Sequence, residues 1–165
     1  MNDICNKRGT AEDFLALGEL AIICEQIEIA EKAYRWAAAL GPESWQPHCR
    51  LAELYDYTNH TKAAIEEYKL AIKLNRNSYE PHNSLAMFHV KQGNIDAAIK
   101  HLEQARSLAP EEPVTHYNLG LVLAKASKLS AARESLCIAL EYSTPGQFQD
   151  RIQMVLDAVD KELGL

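Results

Sequence analysis

The chain repeats itself every 34 residues, without an insertion, over most of its length. Leu17, Leu51, Leu85 and Leu119 form one column of this register, Ala30, Ala64, Ala98 and Ala132 a second, and Ala37, Ala71, Ala105 and Ala139 a third. Beside the leucines stand the small residues Gly18, Ala52, Ala86 and Gly120; between the two alanine columns stand the large apolar Tyr34, Tyr68, Leu102 and Leu136. Five columns held through four copies restrict the chain to a stack of like units. Each unit is too small to bury its apolar face alone and must lean on the next.

The register divides the chain into units 11–44, 45–78, 79–112 and 113–146. Each reads as two helices. In the third, "YEPHNSLAMFHVKQ" is followed by "GNID", with Gly93 as a helix stop and Asp96 near the next helix start. "AAIKHLEQARSLA" then places Ala98, Leu102, Ala105 and Leu108 at helical spacing, and Pro110 ends the run. The small columns have a mechanical reason. Helices cross at about 8–10 Å, and Gly or Ala at the crossing permits the closest approach while a large residue one turn away fills the gap.

These columns resemble the tetratricopeptide repeat (TPR) family, whose unit runs W-x2-L-G-x2-Y, then A-x3-F, then P. The first unit carries Phe14, Leu17, Gly18, Ala30, Tyr34, Ala37 and Pro42 in that order; the third carries Leu85, Ala86, His89, Ala98, Leu102, Ala105 and Pro110. The chain departs from the family where the tryptophan column reads Phe14, His48, His82 and His116, and where the late proline is Arg76 or Thr144. The resemblance implies an all-α fold, a right-handed superhelical array of antiparallel helix pairs with about nine helices.

The ends fall outside the register. Residues 1–10 have no periodicity and read as a flexible segment, after which Thr10 is placed to cap a helix with Asp13 in the third position. "TPGQFQDRIQMVLDAVDKELGL" reads as a final helix over 147–165, started by Thr144, Pro145 and Gln147 in a T-x-x-Q box. Its face of Phe148, Ile152, Val155, Leu156 and Val159 is apolar and the opposite face is charged, as a terminal cap requires. The rival reading is a helix that docks on another chain.

Composition narrows the function. The net charge is −6, without the basic stripe a duplex nucleic acid needs. No apolar run approaches the roughly 18–20 residues of a membrane span, and "MNDICNKRGTAEDF" lacks a signal-peptide core, which points to a cytoplasmic protein. Cys5, Cys24, Cys49 and Cys137 form no C-x-x-C pair and read as free thiols. His48, His82 and His116 occupy one column, so they sit on successive hairpins about 10 Å apart and cannot share one zinc ion. They read as packing rings. His60 and His101 have no partner in phase. No metal, cofactor or catalytic motif is indicated, and the chain reads as a non-enzyme.

Function then falls to a surface. In the TPR family the first helices of the units line a concave groove, and the resemblance carries its ligand-facing positions onto Glu12, Leu15, Glu19, Cys49, Arg50, Glu53, Asp56, Tyr57, Asn83, Met87, Val90, Val114, Tyr117, Asn118 and Leu121. Ile22, Ile23, Glu80 and Lys125 belong to the same set. Acid gathers toward the N-terminal units and an apolar patch toward the C-terminal ones. That pattern suits a protein or peptide segment with basic and apolar residues; alternatively the patch packs under the final helix. TPR domains of co-chaperones grip a partner's C-terminal carboxylate with a cationic clamp. Here the corresponding residues are Leu15, Glu19, Arg50, Glu80 and Ser84, or Cys49, Glu53, Ser84, Val114 and Asn118, and neither set supplies it. The expected role is a protein-interaction adaptor or scaffold; the alternative is a bacterial type III secretion translocator chaperone of the TPR type. Self-association through Ile22, Ile23 and Ile27 is a further possibility.

Overall fold

The computed structural model describes residues 9–165, so Cys5 and most of the expected flexible segment lie outside the described residues. Among those residues there are nine helices and no strand. Contacts divide the chain into two compact units, one ending at Arg76 and the other spanning Asn77–Leu165.

The first unit holds α1 (Ala11–Ile23), α2 (Ile27–Leu40), α3 (Gln46–Tyr57) and α4 (Thr61–Leu74). Thr10 opens α1 with a reciprocal capping box: the Asp13 backbone N–H donates to Thr10 Oγ1 at 3.2 Å, and the Thr10 N–H donates to Asp13 Oδ2 at 2.7 Å. Two of the helix's orphan donors are thereby satisfied. Leu51 and Leu54 of α3 pack against Ala21 of α1 and Ala30 and Tyr34 of α2, so the second helix of one hairpin covers the first helix of the next.

The second unit holds α5 (Glu80–Lys91), α6 (Ile95–Leu108), α7 (Pro113–Lys125), α8 (Leu129–Tyr142) and α9 (Gln147–Leu163). Its core joins Ala98 and Leu102 of α6 to Leu119 and Val122 of α7, then to Leu136 and Ala139 of α8. The small column is small because the paired helix lies directly on it. A Cβ at Gly120 would stand 2.7 Å from Leu136 Cγ, and one at Gly18 would enter the ring of Tyr34.

Within each helix pair the turn has three residues, and its middle residue is left-handed: Glu25 (φ 58°), Asn59 (φ 62°), Gly93 (φ 77°) and Ser127 (φ 58°). These four are again 34 apart. Each turn closes with the same two bonds. At Gly93, for instance, its N–H donates to Val90 O at 3.1 Å and the Asn94 N–H donates to His89 O at 2.9 Å. This is the Schellman arrangement, which satisfies the last carbonyls of the first helix and reverses the chain. Only Gly93 is marked in the sequence as a stop; the other three turns are held by the same geometry without glycine.

The start of α9 differs from the sequence reading. The helix begins at Gln147 with Gly146 as N-cap (φ 148°), and no side chain caps it, so Thr144 and Pro145 lie before it and the T-x-x-Q box is not formed through Thr144. Ile152, Leu156 and Val159 join the core of α7 and α8, and Arg133 Nε donates to Asp160 Oδ1 at 2.6 Å.

Candidate functional site

In the first unit α1, α2 and α3 line an open cavity of about 570 Å³. Its apolar lining is Ile22 and Ile23 of α1, Ile27 and Tyr34 of α2, and Leu54 and Tyr57 of α3. Ile23 is 79% exposed and Tyr57 71%, which is unusual for large apolar side chains facing each other across a depression. The spacing explains the placement. Ile22 and Ile23 follow the turn of α1 that carries Glu19, and Tyr57 is one helical turn beyond Glu53.

The rim is acidic. Arg50 is bound on both sides, its Nη1 donating to Glu53 Oε2 at 2.9 Å and its Nη2 lying 3.2 Å from Glu19 Oε1. Burial works against the guanidinium charge, but the Glu53 hydrogen bond and the fields of Glu53, Glu19 and Tyr34 outweigh it and raise its pKa. One cation thus meets two carboxylates, and Glu25 adds a third carboxylate to the lining. Burial raises the Tyr34 hydroxyl pKa, so this lining residue stays neutral.

Of the residues expected to face a ligand, Glu19, Ile22, Ile23, Arg50, Glu53 and Tyr57 come together here. Glu12 is exposed on the first turn of α1 outside the cavity, Leu15 packs against the core, Asp56 is half-buried, and Cys49 is only 5% exposed. Glu25, Ile27, Tyr34 and Leu54 line the cavity without having been expected there. Glu25 and Ile27 belong to the left-handed turn and the helix start after it, positions that a first-helix stripe cannot flag.

In the second unit Asn83 is buried and donates from Nδ2 to Thr115 Oγ1 at 2.7 Å, tying α5 to α7. Met87, Val90, Asn118 and Leu121 are half-buried, and Val114 is 43% exposed. The Tyr117 ring meets Phe148 of α9 edge-on, with centroids 5.4 Å apart. The final helix therefore covers the Tyr117 part of the apolar patch.

The column histidines each find a different partner. His48 Nδ1 lies 2.7 Å from Glu67 Oε2, and His116 Nε2 lies 2.7 Å from the Pro110 carbonyl, to which it donates. His82 meets His101 with their Nδ1 atoms 3.2 Å apart, and His101 stacks on His89 at 5.5 Å. His101 is thus not solitary, contrary to the sequence reading, because α5 and α6 face each other along these residues. Burial lowers His82 and His89, and burial with the fields of His82, His89 and Lys100 pushes His101 down to about 4. Among the described residues no three His, Cys, Asp or Glu side chains are grouped to hold a metal ion, and no helix is long and apolar enough to cross a membrane.

The fold is an array of helical hairpins, a class of repeat protein. Within that class the family is specific. A tetratricopeptide repeat model matches residues 46–78 and a TPR repeat model matches residues 88–127. The chain thus carries tetratricopeptide repeats over these residues. No curated protein sequence matches it. Among solved structures it is similar to PilF of Pseudomonas aeruginosa, with 23% identity, a TM-score of 0.80, and coverage of 92% of this chain and 68% of that one. It is similar to a chain of the Cut9–Hcn1 hetero-tetramer of the APC/C at 20% identity and TM-score 0.79, covering 96% of this chain and 31% of that one. It is similar to MamA at 21% identity and TM-score 0.73, covering 94% and 83%.

Proposed function

We propose that this protein is a non-catalytic protein-interaction module whose principal contact site is the first-unit cavity. The observation that carries the reading is the open apolar depression between Ile22, Ile23 and Tyr57, rimmed by Glu19, Glu25 and Glu53. An apolar hole excludes water around an inserted side chain, and an acidic rim selects for cationic flanks. The partner is accordingly a protein segment with a large apolar residue beside Lys or Arg. The scaffold reading rests on the matched TPR repeats.

The test is a peptide array of segments pairing Leu, Phe or Trp with flanking Lys or Arg, probed with the full chain. Ile23→Glu is expected to weaken the best ligands by about tenfold or more, as for a central hot-spot residue. Binding should also fall with added salt, since the rim charges are solvent-accessible. Ligands that lack basic residues yet bind equally well, or indifference to Ile23→Glu, would remove the reading.

A further inference from the structure

The repeat register sets Arg50 between two like charges. Glu19 and Glu53 are 34 residues apart and hold the same position on α1 and α3; the later copies of that position are Met87 and Leu121. The column of Arg50 itself reads Ala16, Arg50, Ser84 and Asn118. The hairpins therefore form with small, polar or apolar residues at these two positions, and the architecture demands neither a carboxylate nor a cation there. In both columns charge occurs in the first two units alone, and in those units Glu19, Arg50 and Glu53 all line the cavity.

Arg50 directs its two terminal nitrogens to different helices. Nη1 donates to Glu53 Oε2 at 2.9 Å within α3, and Nη2 lies 3.2 Å from Glu19 Oε1 across on α1. A planar guanidinium fork suits such a span better than a point-like ammonium does. The Arg50, Glu19 and Glu53 side chains are 44%, 53% and 41% exposed. Ion pairs this open to water contribute little, because solvent screens them and long side chains lose freedom in making them. The clasp is therefore easily opened. It also stands in an acidic lining, where Arg50 is the one cation facing Glu19, Glu25 and Glu53.

We propose that Arg50 is the specificity-determining residue of the cavity, an internal cation seated where a basic residue of the partner binds. This rests on the reading of the cavity as the contact site. Binding is then an exchange: a basic side chain of the partner takes Glu19 and Glu53, and Arg50 turns out to solvent. A segment with a single basic residue gains little from the exchange, since it replaces one cation by another. A segment with basic residues on both sides of its apolar residue displaces Arg50 and also meets Glu25. Arg50 thus discriminates against singly basic segments by holding the carboxylates they need. A purely structural Arg50, holding α1 to α3 against the repulsion of two carboxylates, predicts the opposite response to its removal.

The test titrates the full chain against three fluorescein-labelled peptides by anisotropy: SGRRFRRGS, the singly basic SGQQFRQGS and the uncharged SGQQFQQGS. The quantity read is each basic peptide's preference, its affinity divided by that of the uncharged one. In the wild type SGRRFRRGS should be preferred and SGQQFRQGS should bind much like the uncharged peptide. In Arg50→Met the preference for SGQQFRQGS should rise about fivefold or more, as two exposed ion pairs no longer compete, and should fall with added salt. Arg50→Lys keeps the cation and should stay nearer the wild type; Glu53→Gln should lower the preference for SGRRFRRGS. Arg50 is half exposed, so circular dichroism should show Arg50→Met folded; if it does not, Arg50→Gln carries the same measurement. An unchanged or reduced preference in the folded variant overturns the proposal, as does an equal rise in Arg50→Lys. A lower Tm with all three peptides weakened alike assigns Arg50 a structural role instead. Ile23→Glu separates the two levels. If it leaves all three peptides bound as before, the cavity reading falls and this inference with it. If it weakens them while Arg50→Met leaves the preferences unchanged, the cavity stands and this inference alone falls.

Discussion

Replacing Ser127 by glycine should stabilise the protein, although it removes a side chain and adds no contact. Ser127 holds φ at 58° in the turn between α7 and α8, with its N–H donating to Ala124 O at 2.9 Å and the next N–H, of Lys128, donating to Leu123 O at 2.9 Å. For a residue with a Cβ, the left-handed conformation costs roughly 1–2 kcal/mol through the clash with the following carbonyl. Glycine escapes that cost but loses about 0.5–1 kcal/mol more chain entropy on folding. The difference leaves a net gain of about 0.5–1 kcal/mol. For a chain of this length that corresponds to a rise in Tm of about 1–4 °C. Glu25→Gly occupies the equivalent turn of the first unit, with the same φ of 58°, and should give a gain of the same order. The two sites share no partner, so the double variant should approach the sum. Gly93→Ala is the reverse experiment at φ 77°, with nothing within 4 Å of an added Cβ; it should lower stability by about 1 kcal/mol through backbone strain alone. Thermal and urea unfolding followed by far-ultraviolet circular dichroism measure all four. A lower Tm for Ser127→Gly together with an unchanged Tm for Gly93→Ala would refute the argument that these turns store strain.

Two further outcomes follow from packing and charge. Ile152→Ala deletes a side chain of 0% exposure where α9 meets the core of α7 and α8; it should cost about 2–5 kcal/mol, read as a lower urea midpoint. The histidine cluster makes stability depend on pH. His82, His89 and His101 have folded-state pKa values below the usual 6.5, with His101 near 4. Between those values the unfolded chain binds more protons, so their contribution is complete above pH 6.5 and is lost as the pH falls toward 4. The urea midpoint should drop over that interval, and His101→Gln should flatten the drop; a profile equally steep in the variant would exclude the cluster as its cause.

Much of this architecture is written in the residue columns, and the reason is local. A helix is defined by a period of 3.6 residues, and a 34-residue recurrence of small and large positions admits one way of stacking hairpins. The helix pairs, the crossing at Gly18 and Gly120, and the cap at Thr10 and Asp13 all follow from neighbours in sequence. Position in the stack is a different quantity. Leu17 and Leu51 are the same residue in the same column, yet one is 43% exposed and the other 3%, because burial depends on what packs against the helix; Leu51 packs against Ala30 and Tyr34 of α2. The same holds for Asn83, carried over as a ligand contact and found bonded to Thr115, and for Tyr117, met by a helix outside the register. His101 was assigned no partner because His82 and His89 lie on another helix, which only the folded hairpin brings beside it. The left-handed turns at Glu25, Asn59 and Ser127 carry no glycine to announce them; the reversal they complete is imposed by the packing of the two helices on either side. The sequence by itself thus determined the repeating unit and its helices. The tertiary structure decided which faces are covered, which side chains meet, and where an apolar surface is left open, because each of these depends on what stands next to the helix in space.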